Sequence, residues 1–192
     1  MDAIVEAALR KWPNVPHVYG WLGLCARGDW YLRDAQTQAA GAFPRAKGSR
    51  IEHRRLREFI QRNYAADAAG CWFFQNGPQR VYVELECAPW VWRLTDSAAG
   101  LAIESHTGRA AQFESAWLDA AGRLFLATDL GVGLVHSVDV ERASRAIETE
   151  QWQVSECAAD SLALRFGYVL SPAAWRAATR PGAGPTQIPA GS

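Results

Sequence analysis

"DAAGCWFF", residues 67–74, is written twice more with small changes, as "CARGDWYL" at 25–32 and "DAAGRLFL" at 119–126. Each copy places Asp or Cys first and Gly fourth, then runs into an aromatic or leucine-rich pair. A short polar side chain at the first position accepts hydrogen bonds from its own loop, and Gly at the fourth tolerates left-handed backbone. Those are the two requirements of a type I turn closed by a bulge. The copies therefore read as hairpin reversals between neighbouring β segments, with "TDSAAGLAI" at 95–103 as a looser fourth. The glycines at 28, 70 and 122 are unevenly spaced and dissimilar stretches lie between them, so what recurs is the hairpin and a solenoid period is excluded. Cys25 takes the slot of Asp67 and Asp119, and is expected to be a solvent-exposed turn thiol with no nucleophilic role.

Outward from these turns, residues 70–133 keep an apolar period of two. Val81, Val83 and Leu85 share one side of "RVYVELE" and Tyr82, Glu84 and Glu86 the other, while Trp90, Trp92 and Leu94 oppose Val91 and Arg93 in "PWVWRL". "QNGPQ" and "DLGVG" supply further turns. On the N-terminal side the period approaches 3.6. One helix is predicted over 2–11 with a stripe of Ile4, Val5, Ala8 and Leu9, and the main helix over 50–64, opened by Gly48 or Ser49. "AQTQAAGAFPRAKG" reads as a mobile loop, "DVERASRAIE" as a short helix capped by Ser137 or Asp139, and "QWQVSEC" with "SLALRFGYVL" as a closing strand pair. The pattern predicts an α+β domain over 1–178, divisible into 1–66 and a β-rich 67–178, with 179–192 a disordered tail. Its sheet should be mostly antiparallel and twisted, with about eight to ten strands built from consecutive hairpins. The main helix packs on it and short helices lie at the margins.

Lys plus Arg equals Asp plus Glu at 20 each, which removes a general polyanion binder and an anionic-membrane partner. The start "MDAIVEAALRKW" offers no leader or spanning run, so a cytoplasmic location is expected, and the four cysteines, which form no CxxC pair, read as free thiols. Nine tryptophans either fill a β core or mark a binding face.

"KWPNVPHVYGWLGL", "IEHRRLREFIQRNYAAD", "GCWFFQNGPQRVYVELECAPWVW" and "SHTG" together resemble a proteobacterial family of uncharacterised cytoplasmic proteins, a domain of unknown function, over most of residues 1–150. That family's pattern has Asp where this chain has Cys25, a departure that fits a turn role. Val83, Glu84, Glu86, Ala88 and Pro89 are similar to the VExExAPF-like strand of a second uncharacterised bacterial family, with Trp90 in place of its last aromatic. Both resemblances imply an α+β fold and neither implies an activity.

For chemistry, Glu84 and Glu86 should lie with Cα atoms about 6.5–7 Å apart on one strand face. That is compatible with an acid and base pair; the simpler reading is a solvated face with Arg80 and Arg93 as cross-strand partners. The histidines at 17, 53, 106 and 136 show no metal spacing, and no phosphate-loop glycine motif is present, so no metal or cofactor is expected. Seven basic residues between Arg45 and Arg62 face only Glu52 and Glu58, either a solvated helix face or a surface for an acidic partner. The leading expectation is non-catalytic binding of a small molecule or protein partner on the concave sheet face, through His17, Trp21, Arg80, Tyr82, Glu84, Glu86 and Trp92. One alternative is a hydrolase-type enzyme with Glu84 or Glu86 as general base and His17 or His106 nearby. Another is weak nucleic-acid or acidic-partner binding through the basic helix at 50–62.

Overall fold

In the computed structural model, residues 2–98 and 100–179 are described, and the expected tail lies, from residue 180 onward, outside them. The chain opens with α1 (Ala3–Lys11), β1 (Val18–Leu24), β2 (Trp30–Leu32), α2 (Ala35–Ala40), β3 (Ser49–Arg50), α3 (Arg54–Arg62), β4 (Tyr64–Ala66), β5 (Trp72–Asn76) and β6 (Gln79–Leu85). It continues through β7 (Trp90–Ser97), β8 (Gly100–Ser105), β9 (Ala110–Ala111), β10 (Phe113–Asp119), β11 (Leu124–Thr128) and β12 (Gly131–Val135). A 3-10 turn at Ser137–Asp139 leads to α4 (Val140–Glu148), β13 (Val154–Cys157), α5 (Ala159–Phe166) and α6 (Pro172–Thr179). The class is α+β, as the alternation indicates.

The strands form two sheets rather than one. Their orders are β3-β2-β1-β6-β5-β4 and β13-β10-β11-β12-β7-β8-β9. Adding six to each strand number of the first sheet reproduces the second, apart from the added β13, and the parallel pair β1 with β6 recurs as β7 with β12. A whole six-strand unit therefore recurs, which corrects the hairpin-only reading. The two "DAAG" turns occupy equivalent places, β4 to β5 and β10 to β11. The duplication is hidden in the sequence because α2 and α3 occupy connections of the first unit whose counterparts in the second are short.

The turns have the expected geometry. Gly28, Gly70 and Gly122 have φ of +79°, +77° and +72°, and each donates its N–H to the carbonyl of residue 25, 67 or 119 at 2.9–3.0 Å. "SHTG" adds a further copy, with Gly108 donating to the Ser105 carbonyl at 2.8 Å. The first side chain does the same work in each: Asp67 Oδ1 accepts from Ala69 N at 3.0 Å and Asp119 Oδ1 from Ala121 N at 2.9 Å, while Cys25 Sγ accepts from Arg27 N at 3.4 Å. Cys25 is nonetheless buried, not exposed. Its turn folds against the β8–β9 turn so closely that a Cβ on Gly28 would stand 2.8 Å from that of His106.

One core runs between the sheets, with Leu22, Leu24, Val83 and Leu85 from the first meeting Trp90, Trp92 and Leu126 from the second. Some boundaries differ from expectation. α3 starts at Arg54, capped by His53 Nδ1 accepting from Leu56 N at 3.3 Å, because Ser49 and Arg50 pair with β2. The loop expected to be mobile contains α2, capped by Asp34. α1 buries Val5 but leaves Ile4 77% exposed. The "SLALRF" part of "SLALRFGYVL" lies in α5 and the rest follows it without strand structure: Leu162 and Phe166, four residues apart, meet the core, and Leu164 is 88% exposed. Apolar residues at 162, 164 and 166 had imitated a period of two.

Candidate functional site

The sequence-predicted residues separate into three groups. On the outer face of the first sheet, Tyr82 stacks on Tyr19 at 4.4 Å, meets the His17 ring edge-on at 5.9 Å and donates its hydroxyl to Asp67 Oδ2 at 2.9 Å. Arg80 lies over Phe73 at 4.4 Å, and Trp21 remains partly exposed. Partial burial, with Arg80 and Arg176 nearby, holds the His17 pKa down.

Glu84 and Glu86 each serve a structural partner. Glu84 is buried, accepts from Ala173 N at 3.1 Å at the start of α6, and has its pKa raised by burial. The cavity of about 300 Å³ that it lines contains no histidine. Glu86 pairs with Lys47 at 2.9 Å and accepts from Ala26 N at 3.1 Å. Neither has Arg80 or Arg93 as an ion-pair partner among the described residues. Trp92 is in neither group: it is 0% exposed in the second sheet, stacks on Trp90 and donates to the Leu126 carbonyl at 3.0 Å. Its place is the core, a correction to its assignment on the open face, and it follows from the chain switching sheets between β6 and β7.

A different constellation lies where the two units meet. The β1–β2 turn, α3, β7, the β8–β9 turn and the residue after β12 enclose a cleft of about 440 Å³. Arg27, Arg57 and Arg93 line it, with Gln61, His106 and His136, against the single carboxylate of Glu104. Arg93 is held by Asp139 at 2.6 Å, whereas Arg27 and Arg57 have no ion-pair partner among the described residues. Elsewhere in the basic run Lys47 pairs with Glu86, Arg50 with Asp29, Arg54 with Glu58 and Arg62 with Asp2, while Arg45 and Arg55 have no ion-pair partner among the described residues.

Both histidines of the cleft are kept neutral. His136 Nδ1 accepts from Val138 N at 3.2 Å, which leaves the proton on Nε2, and burial followed by Arg93 and Arg27 lowers its pKa. His106 Nδ1 accepts from Val91 N at 3.3 Å, and its carbonyl holds Gln61 Nε2 at 2.8 Å. The His106 ring stands 5.5–5.8 Å from those of Trp30, Tyr64 and Trp90, and its Nε2 is buried with no hydrogen-bond partner. His106 is therefore a wall of the cleft with its ring turned into the aromatic core. Burial drives its pKa down to about 3.

A pH dependence follows. The unfolded imidazole binds a proton below about pH 6.5 and the folded one only near pH 3, so unfolding takes up a proton between these values and stability falls as pH falls through that window. Urea midpoints at pH 7 and pH 5 should show wild-type losing up to about 1.4 kcal/mol per pH unit from this group. His106→Gln should have a flatter slope, and equal slopes would refute the assignment.

Among the described residues no group of three or more His, Cys, Asp or Glu side chains is placed to hold a metal, and no helix is long and apolar enough to cross a membrane. The described cysteines are free thiols.

Residues 1–174 match the model of the DUF2944 family, whose description reads "Protein of unknown function (DUF2946)". The chain belongs to that family. No curated protein matches this DUF2944 chain. Among solved structures it is similar to a DUF1285 family protein from Silicibacter pomeroyi DSS-3, with 13% identity and a TM-score of 0.46 over 74% of this chain and 83% of that one. A DUF1285 family protein from Shewanella baltica OS155 gives 13% identity and a TM-score of 0.45 over 65% and 91%. Sequence reasoning missed Arg27 and His136 as members of a site. Arg57 stood inside the basic run, and His106 and Arg93 were singled out for other roles, beside a general base and as a cross-strand partner of the glutamates.

Proposed function

We propose that this DUF2944 protein is a non-catalytic binding module for a small anionic ligand held in the cleft between its two structural units. The observation that carries this reading is the gathering of Arg27 and Arg57, both without an ion-pair partner among the described residues, with Arg93 around one cavity. A turn, a helix and a strand far apart in sequence supply them. Unpaired guanidinium groups lining a concave surface are what anion recognition requires. The Ser105 and Thr107 hydroxyls engage each other at 2.9 Å rather than a histidine, so no activated nucleophile accompanies them. A hydrolase built on Glu84 or Glu86 draws no support from carboxylates committed to α6 and Lys47.

The test is a thermal-shift titration with inorganic phosphate at low ionic strength. Wild-type should be stabilised in a saturable way, and Arg57→Gln should abolish the effect. Arg145→Gln, in a different cavity beside α4, should leave it unchanged. The reading fails if phosphate gives no shift, or an equal one in Arg57→Gln.

A further inference from the structure

Resting on the anion-binding reading of the cleft, we infer that its occupant is the dianion of a phosphate monoester carried on a small hydroxylated group. Three features of the site support this. The first is direction. One planar carboxylate is satisfied by a single guanidinium fork, whereas a terminal phosphate presents three oxygens that need donors from several sides. Arg27 comes from the β1–β2 turn, Arg57 from α3 and Arg93 from β7, so three walls of the cleft each bring one guanidinium.

The second is charge. The three arginines exceed Glu104, the one carboxylate in the lining, by two; Arg27 and Arg57 have no ion-pair partner among the described residues, and Arg93 is held from outside the lining by Asp139, which also binds Arg142, itself paired with Asp96 as well. His136 contributes an N–H without adding charge. The third is the remaining space. At about 440 Å³ the cleft falls within the range of organic-ligand sites and is larger than a bare oxyanion needs. Glu104 and Gln61 offer polar groups to hydroxyls there. Trp30 and Trp90 lie behind the wall, buried, the His106 ring is turned toward them, and among the described residues no Phe, Tyr or Trp lines the cleft. A nucleobase therefore has no exposed aromatic platform on which to stack.

The experiment is calorimetric titration of the full chain with glycerol 3-phosphate, glycerol sulfate, succinate and adenosine monophosphate, at pH 7 and pH 5. Glycerol 3-phosphate should bind at least tenfold more tightly than the sulfate or succinate, and adenosine monophosphate should gain nothing over it. Its affinity should drop about tenfold at pH 5, because the second phosphate ionisation lies near 6. The protein groups facing the cleft act otherwise. A proton taken up by His136 would add positive charge and strengthen anion binding at pH 5, whereas His106 stays neutral there because burial holds its pKa down to about 3, and Asp139, held below its ordinary value by Arg93, stays ionised; the carboxylate in the lining is Glu104. Arg27→Gln and Arg57→Gln, checked for unchanged unfolding midpoints, should each weaken glycerol 3-phosphate at least tenfold. If succinate or the sulfate binds equally well, or affinity is the same at both pH values, the phosphate inference fails while the anion cleft stands. If none of the four binds and inorganic phosphate gives no thermal shift, the cleft reading fails with it.

Discussion

Gly70→Ala should destabilise the protein by about 3 kcal/mol, and Gly122→Ala by only about 1 kcal/mol. Both glycines hold the same turn position at nearly the same left-handed φ, +77° and +72°, so the conformational cost of a Cβ is shared. The difference is in what surrounds them. A Cβ on Gly70 would run into the backbone carbonyl of Gly167, where the chain leaving α5 crosses the turn and Val169 N donates to the Gly70 carbonyl at 3.0 Å. At Gly122 nothing lies within 4 Å. Backbone cannot swing aside as a flexible side chain can, so the Gly70 substitution must displace one of the two segments. Thermal unfolding of the two variants side by side checks this, with an expected separation in midpoint temperature of roughly 4–8 °C for a chain of this size. Equal losses would show that the turn's own geometry is the whole cost and that the docking of residues 167–169 is weak.

Asp139→Ala should cost about 3 kcal/mol. The carboxylate is 1% exposed and accepts from Arg93 Nε at 2.6 Å, Arg142 Nη1 at 2.9 Å and the buried Leu94 N–H at 3.3 Å. Removing it orphans Leu94 N–H between β7 and α4 but leaves half-exposed Arg93 open to water and Arg142 still paired with Asp96, so the loss is smaller than that of stripping the cations from a buried carboxylate. Burial alone would raise the Asp139 pKa, but the bonds from Arg93 and Leu94 N outweigh it and the carboxyl sits below its ordinary value. Its stabilising contribution is thus complete above the unfolded carboxylate pKa, near 4, and is lost as pH falls through the lower folded value. Chemical denaturation at pH 7 and pH 3 should show a large deficit for Asp139→Ala at neutral pH that narrows in acid. A variant within 0.5 kcal/mol of wild-type at pH 7, the range of an ordinary surface change, would mean that Asp139 does not anchor Arg93. Freed from Asp139, Arg93 should also weaken phosphate binding in the cleft.

The turns, the strand faces of β6 and β7 and the existence of α1 and α3 were decided within windows of four to ten residues, and were legible for that reason. An Asp that accepts from its own loop and a Gly at positive φ need no distant partner, which is why "DAAG" and "QNGP" fold locally as read. The side-chain alternation of "RVYVELE" likewise put Val83 and Glu84 on opposite faces before any sheet was known, and both are buried, one in the shared core and one beneath α6. Where local pattern admitted two answers it misled, as in α5, whose apolar spacing fits either period until the core selects Leu162 and rejects Leu164.

Tertiary structure alone decided the rest. Whether the strands make one sheet or two depends on parallel pairings between residues about 40 to 60 positions apart, such as Leu22 with Val83 and Leu134 with Val91, and no local signal encodes them. Cys25 is buried because a second turn from the other unit closes over its own. Trp92 is core and not platform because the chain passes to the second sheet between β6 and β7. The cleft belongs wholly to this level: Arg27, Arg57 and Arg93 are ordinary surface arginines in the sequence, and only the docking of two six-strand units on one apolar core brings their charges to a common space.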